Sequence, residues 1–195
     1  MYCYQIARQA VPELDEKPCL PLPMPMTKDR EKLAASHEAA AAKAAEQLAA
    51  GHTVALITLG DATVYSTYLY VHERIKRLGF ETRIVNGIPS FCAAAARLDM
   101  PLVNGSQKLH ILPASYHIEE ALELPGVKVL MKSGRQMPKS KSSPKGKRPG
   151  GRMVENCGME GEKTYQSLEE IPDDAGYFSL LIAESSEEKQ GGQRT

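Results

Sequence analysis

The 195-residue sequence has no net charge, because 24 Lys and Arg balance 24 Asp and Glu. No global field therefore recruits nucleic acid or an anionic membrane, and recognition is left to local pockets. No apolar run approaches the length of a membrane span. The start, MYCYQIARQAVPELDEK, lacks a basic region followed by an apolar stretch. The expectation is a cytoplasmic protein, neither exported nor inserted in a membrane. The four cysteines, Cys3, Cys19, Cys92 and Cys157, form no C-x-x-C pair and have no histidine at ligand spacing. This leaves no structural zinc pattern and fits a reduced compartment. G-x-G-x-x-G and P-loop patterns are missing, as is any serine-histidine-acid arrangement. No metal ligand or covalent nucleophile is expected.

What the chain does contain is organised around Thr53 to Ser66, TVALITLGDATVYS. The run Val54 to Leu59 is apolar without alternation, as in a strand buried on both faces of a parallel sheet. A ligand site is expected at its carboxyl end. There Gly60 permits a positive φ or a close backbone approach, and Asp61 adds a carboxylate. An ordinary strand-to-helix turn explains the same dipeptide. Lys28 to Ala50 reads as an alanine-rich packing helix with Thr27 as N-cap and Gly51 as stop. Tyr65 to Leu78 reads as a second helix, Phe80 to Val85 as a strand, and Ser90 to Leu98 as a helix of small residues. Strands are also expected at Lys108 to Leu112, Val127 to Met131, Arg152 to Glu155 and Tyr177 to Ala183, with a short helix at Ile118 to Leu124. Strand alternating with helix implies parallel pairing and right-handed crossovers. Pro18 to Pro25 cannot hold a helix, because its prolines lack amide donors.

Several stretches carry a resemblance. They are Leu59 to Ser66 (LGDATVYS), Gly87 to Leu98 (GIPSFCAAAARL), Lys108 to Ala114 (KLHILPA) and Val154 to Glu160 (VENCGME). Together they resemble the tetrapyrrole methylases that use S-adenosylmethionine, and within that family the branch acting at C20 of precorrin-2. The resemblance implies an α/β, two-domain fold with a cofactor cleft between the domains. One is an incomplete N-terminal parallel-sheet domain over 1–105, the other a C-terminal mixed-sheet domain over 106–184; a composition shift at Pro101 to Gln107 marks the boundary, and the polar tail 185–195 reads as disordered. The resemblance also implies methyl transfer from S-adenosylmethionine to a carbon of a small-molecule tetrapyrrole, with or without cobalt, in a homodimer. Gly60, Asp61, Ala62 and Val64 would form the loop that touches the cofactor. Ser90 and Phe91 would follow, through free amides at a helix start, and Met131, Cys157 and Ser167 would line the adenosyl pocket. Met131 and Cys157 are equally compatible with core packing, and Ala62 stands where the family usually has proline.

The resemblance breaks in two places. The family opens with a strand ending in a Gly-x-Gly-Pro-Gly-Asp-Pro-like turn, which this chain does not contain. An uncovered apolar face and unpaired backbone groups are expected in the N-terminal domain. Segment 136–152, QMPKSKSSPKGKRPGGR, carries Lys139, Lys141, Lys145, Lys147, Arg148 and Arg152 with three prolines and no acid. A crossover helix is expected at this place, and a local slip of reading frame in the encoding DNA would produce such a replacement. The segment reads as a solvated loop, and as a phosphate-binding arm only in the alternative of a related RNA methyltransferase. No aromatic residue interleaves its charges, so nucleic acid is not the expected partner. A binding-only or inactive fragment is the third reading.

Overall fold

The computed structural model describes residues 2–25, 27–113, 124–132 and 150–184. The expected helix at 118–124 falls mostly outside these residues, as do segment 136–149 and the tail 185–195. The chain forms two compact units, Met1–Ile88 and Pro89–Thr195. The boundary expected between residues 105 and 106 lies inside the second unit, whose helix at Ser90–Arg97 packs on that unit's sheet.

In the first unit, α1 (Tyr2–Ala10) leads through a 3-10 turn (Pro12–Glu16) into the proline-rich stretch. That stretch forms neither helix nor strand; Leu22 and Met24 instead pack against α2 (Arg30–Ala49) and α3 (Tyr68–Arg77). The N-cap of α2 is Asp29, not Thr27. The Asp29 carboxylate accepts from the Glu31 and Lys32 amides at 3.1 and 3.2 Å, while Thr27 Oγ1 accepts from the Asp29 amide. Ala40, Ala41 and Ala44 of α2 are small enough to let α3 approach closely, and they bury Val71 and Ile75. The helix expected at Tyr65 starts three residues later, because Tyr65 has φ +48 and Ser66 Oγ accepts from the Tyr68 amide.

The runs 53–58 and 81–85 alternate between exposed and half-buried residues, the period of a strand. Neither belongs to a ladder among the described residues. The parallel strands expected there are thus extended but unpaired.

In the second unit, α4 (Ser90–Arg97) accompanies one mixed sheet. Its strands are β1 (Leu109–Leu112), β2 (Val127–Met131), β3 (Gly150–Glu155), β4 (Lys163–Tyr165) and β5 (Ser179–Glu184). Their order is β1-β2-β5-β3-β4, with only β1 and β2 parallel. One face carries Leu130, Leu181 and Met153 in a single cross-strand row. This row is covered by Leu168, Ile171 and Ala175. Each fully buried side chain of this size contributes about 1.5–3 kcal/mol. On the other face α4 packs on β3 and β5, and Arg152 Nη1 reaches the Met100 sulfur at 3.6 Å. Residues 150–152 are therefore strand rather than the end of a basic loop. A Cβ on buried Gly151 would lie 2.7 Å from Leu168 Cδ2, so glycine here admits the leucine onto the sheet.

Candidate functional site

In the first unit the turn after residue 59 is fixed from two sides. Gly60 adopts φ +72, a conformation that glycine enters without the Cβ clash. The Asp61 carboxylate is buried and fully engaged within its own unit. One oxygen accepts from the Thr63 amide at 2.7 Å and from the Thr63 hydroxyl, and the other from the Gly87 amide at 3.1 Å. The Thr63 hydroxyl bond, then the Thr63 amide bond, hold the carboxyl below its usual range; desolvation opposes them and Gly87 adds to them. Asp61 therefore ties two loops together through three hydrogen bonds. A Cβ placed on Gly87 would stand 2.0 Å from the Gly60 oxygen. Nothing in the sequence pointed to Gly87 as the other half of this turn, because 26 residues separate it from Asp61. Ala62 is buried at 6% exposure, and Val64 is half-buried, its amide bonded to the Asp61 carbonyl.

A cavity of about 660 Å³ adjoins this turn, lined by 53–58, by 81–87 and by α2 and α3 side chains. Tyr68 reaches into its wall, with its hydroxyl 3.1 Å from His72 Nδ1 and 3.3 Å from the Arg83 carbonyl. Burial pushes the Tyr68 hydroxyl above its usual pKa, so it stays protonated and donates. His37 stacks on Tyr70 with ring centroids 4.7 Å apart. Burial, then the Arg74 charge, lowers its pKa, which keeps it neutral and structural.

The second unit holds the other candidates. Ser90 is exposed and Phe91 buried at 7% exposure, so the Phe91 ring belongs to the core. In the first turn of α4 the Cys92 and Ala93 amides donate to the Pro89 carbonyl. The Ser90 and Phe91 amides are left without a partner among the described residues, as helix starts require. Met131 pairs with Leu180, and Glu155 pairs with Ser179 on the other side of β5. The end of β2 and the turn at Cys157 thus share one edge of the sheet, about two strand spacings or ~10 Å apart.

Ser167 lies elsewhere. Tyr165 pairs with Met153, and Leu168 covers Gly151, so Ser167 sits toward the opposite end of β3, bonded to Glu170. The Cys157 thiol is half-buried, and burial, then the nearby Glu162 carboxylate, raises its pKa above 9.0. It stays protonated and apolar near neutral pH. Glu162 accepts from the Gly158 amide at 2.7 Å and pairs with Arg97, which locks this turn. Among the described residues no group of three or more His, Cys, Asp or Glu stands ready to hold a metal.

Residues 2–172 match the family described as Tetrapyrrole (Corrin/Porphyrin) Methylases. A probable cobalt-precorrin-2 C(20)-methyltransferase of Methanocaldococcus jannaschii is 40% identical over 130 residues, covering 67% of this chain and 54% of that protein. The cobalt-precorrin-2 C(20)-methyltransferase of Salmonella typhimurium is 34% identical over 184 residues, covering 91% of this chain and 76% of that protein. The chain thus spans about half the length of the first relative and three quarters of the second.

Among solved structures, a cobalt precorrin-4 methyltransferase of cobalamin biosynthesis superposes with a TM-score of 0.64 at 17% identity, over 75% of this chain and 70% of that one. A uroporphyrin-III C-methyl transferase from Thermus thermophilus, complexed with S-adenyl homocysteine, gives 0.57 at 17% identity, over 80% and 74%. These likenesses establish the α/β fold with its mixed sheet. With the match running over most of its length, the chain belongs to the tetrapyrrole methylase family.

Proposed function

We propose that this chain serves S-adenosylmethionine-dependent methylation of C20 of precorrin-2 or cobalt-precorrin-2, a step of cobalamin biosynthesis. The observation that carries this reading is the 34% identity to a C20-methyltransferase over 91% of the chain. S-adenosylmethionine supplies an electrophilic methyl on a sulfonium, and the accepting carbon of a reduced tetrapyrrole is already electron-rich. The chain then needs neither a metal nor a covalent nucleophile, and its task is to position and to exclude water.

The residues fit such a cofactor. Gly60, Asp61, Ala62 and Val64 form a loop whose backbone faces such a cofactor, held in shape by the Asp61 carboxylate bonded to Thr63 and Gly87. The unpartnered amides of Ser90 and Phe91 suit a carboxylate of the methionine moiety. Met131 and the protonated Cys157 offer soft, half-buried surface to an adenosyl group. Ser167 fits less well, being placed away from the edge that carries these two. The same reading gives a homodimer in the cytoplasm and a division into domains 1–105 and 106–184.

Calorimetric titration of S-adenosylhomocysteine tests it, on this chain and on one extended upstream with a relative's opening strand. Micromolar binding, about 8 kcal/mol, to either protein supports the reading and leads to a C20 methylation assay. Binding by neither overturns it.

A further inference from the structure

In the second unit β1 and β2 run parallel, and β3, antiparallel to β5 as β2 is, runs with them. These strands therefore point their carboxyl ends to one edge of the sheet, the position at which ligands bind in α/β folds. β5 starts at that edge, led in by Tyr177 and Phe178. Directly after β2, Lys132 adopts φ +60, a left-handed conformation that costs a residue with a Cβ about 1–2 kcal/mol. Its ammonium stands over the Tyr177 ring, 5.2 Å from the centroid. The Phe178 ring meets the Tyr177 ring edge-on, with centroids 5.3 Å apart.

The aromatic pair is fixed by its own backbone. Glu155 accepts from the Gly176 amide at 2.6 Å and from the Tyr165 hydroxyl at 3.3 Å, and the Asn156 amide donates to the Phe178 carbonyl at 2.9 Å. Glu155 is thus engaged by this loop, and among the described residues no carboxylate pairs with Lys132. Lys132 is exposed, and Phe178 is 38% exposed. The edge presents a cation beside an open aromatic ring. A ligand that matches both is broad and apolar in its middle and carries carboxylates on its rim.

We propose that Lys132 receives a rim carboxylate of the tetrapyrrole substrate, with Phe178 against the macrocycle and Tyr177 as the positioning residue that holds the ammonium. The inference rests on the methylation reading for the class of substrate and adds a recognition residue to it. A tetrapyrrole of this type carries acetate and propionate side chains around its ring. The adenosyl group is neutral and gives Lys132 no partner. Lys132 follows Met131 directly, so the carboxylate would be anchored beside the edge that Met131 shares with Cys157.

The test uses the full chain and uroporphyrin III, a macrocycle with eight carboxylates, titrated through its fluorescence. Lys132→Gln should weaken binding about fivefold or more, and Lys132→Arg should restore it to within about twofold, because a guanidinium also stacks on tyrosine and binds carboxylate. Tyr177→Leu should weaken binding about threefold in the parent chain and add nothing in the Lys132→Gln background, the non-additivity of a residue that acts through the ammonium. Salt should narrow the gap between the parent and Lys132→Gln.

An unchanged affinity in Lys132→Gln, or no binding of uroporphyrin III, would overturn the proposal. So would an equal loss in Lys76→Gln, an exposed lysine of the first unit, which would mean unspecific charge attraction. Equal effects of Tyr177→Leu with and without Lys132 would overturn the positioning role. Calorimetry with S-adenosylhomocysteine runs alongside. A loss confined to that titration in Lys132→Gln would assign the lysine to the cofactor instead. Lys132-dependent binding of uroporphyrin III, with S-adenosylhomocysteine bound by neither this chain nor the extended one, would overturn the methylation reading and leave the carboxylate subsite in place.

Discussion

Replacing Gly87 with alanine isolates the contact that holds the Gly60 turn. The new Cβ would stand 2.0 Å from the Gly60 oxygen and 3.0 Å from its carbonyl carbon, both backbone atoms. No flexible side chain can swing aside, so one loop must retreat by about 1 Å, and overpacking of this kind costs about 1–3 kcal/mol. Meeting rigid backbone puts Gly87→Ala near the upper end, and the retreat also pulls the Gly87 amide away from Asp61.

For a unit of this size about 3 kcal/mol lowers Tm by about 12 °C or more. A control is available at Gly79, which has φ +88 and no neighbour within 4 Å of a built Cβ. Gly79→Ala meets only left-handed backbone strain, about 1–2 kcal/mol. Thermal melting followed by circular dichroism, with calorimetry of S-adenosylhomocysteine, reads both variants. Gly87→Ala should melt lower than Gly79→Ala and bind at least about tenfold more weakly, while Gly79→Ala keeps the parent affinity. A Gly87→Ala protein that melts with or above the Gly79→Ala protein would refute the close approach of the two loops.

Two further expectations concern protons. The Asp61 carboxyl is held below its ordinary value of 3.8, so its contribution to stability is complete above about pH 4 and is lost as pH falls through the lower, folded value. Asp61→Asn should lower Tm at pH 7 and flatten the acid limb of a Tm-against-pH curve, and an unchanged acid limb would contradict the role given to this carboxylate. The Cys157 thiol, raised above 9.0, should react with iodoacetamide far more slowly at pH 7 than exposed Cys19, and mass spectrometry of the labelled chain distinguishes the two. Equal labelling rates would place Cys157 outside the locked turn.

Much of the fold was legible because local rules decided it. The small-residue runs of α2 and α4 read as helices, and Val127 to Met131 reads as a strand, whereas the run from Val54, expected to be buried on both faces, alternates between half-buried and exposed residues. The cap of α2 went to Asp29 because both residues can cap and only the path of the preceding chain chooses between them. The three-residue edge strand β4, Lys163–Tyr165, has mostly exposed side chains and no apolar pattern, so its existence depends on β3 beside it.

The runs 53–58 and 81–85 show the converse, a strand-like conformation set by the residues themselves with no ladder partner among the described residues. At the site, Gly60 was visible as a turn glycine. Its partner Gly87 and the tie through Asp61 depend on tertiary proximity alone. Cross-strand register likewise brings Met131 and Cys157 to one edge and leaves Ser167 away from it, a distinction that spacing along the chain does not contain.

The order β1-β2-β5-β3-β4 has a consequence for biosynthesis. The central strand, Ser179–Glu184, is the last of the five to leave the ribosome. Until it arrives, a nascent chain holds two separate ribbons, one parallel and one antiparallel, whose Leu130 and Met153 have nothing between them. The second unit therefore closes in a single late event after nearly all of it has been translated, and during that interval its apolar rows are exposed to chaperones and to other nascent chains.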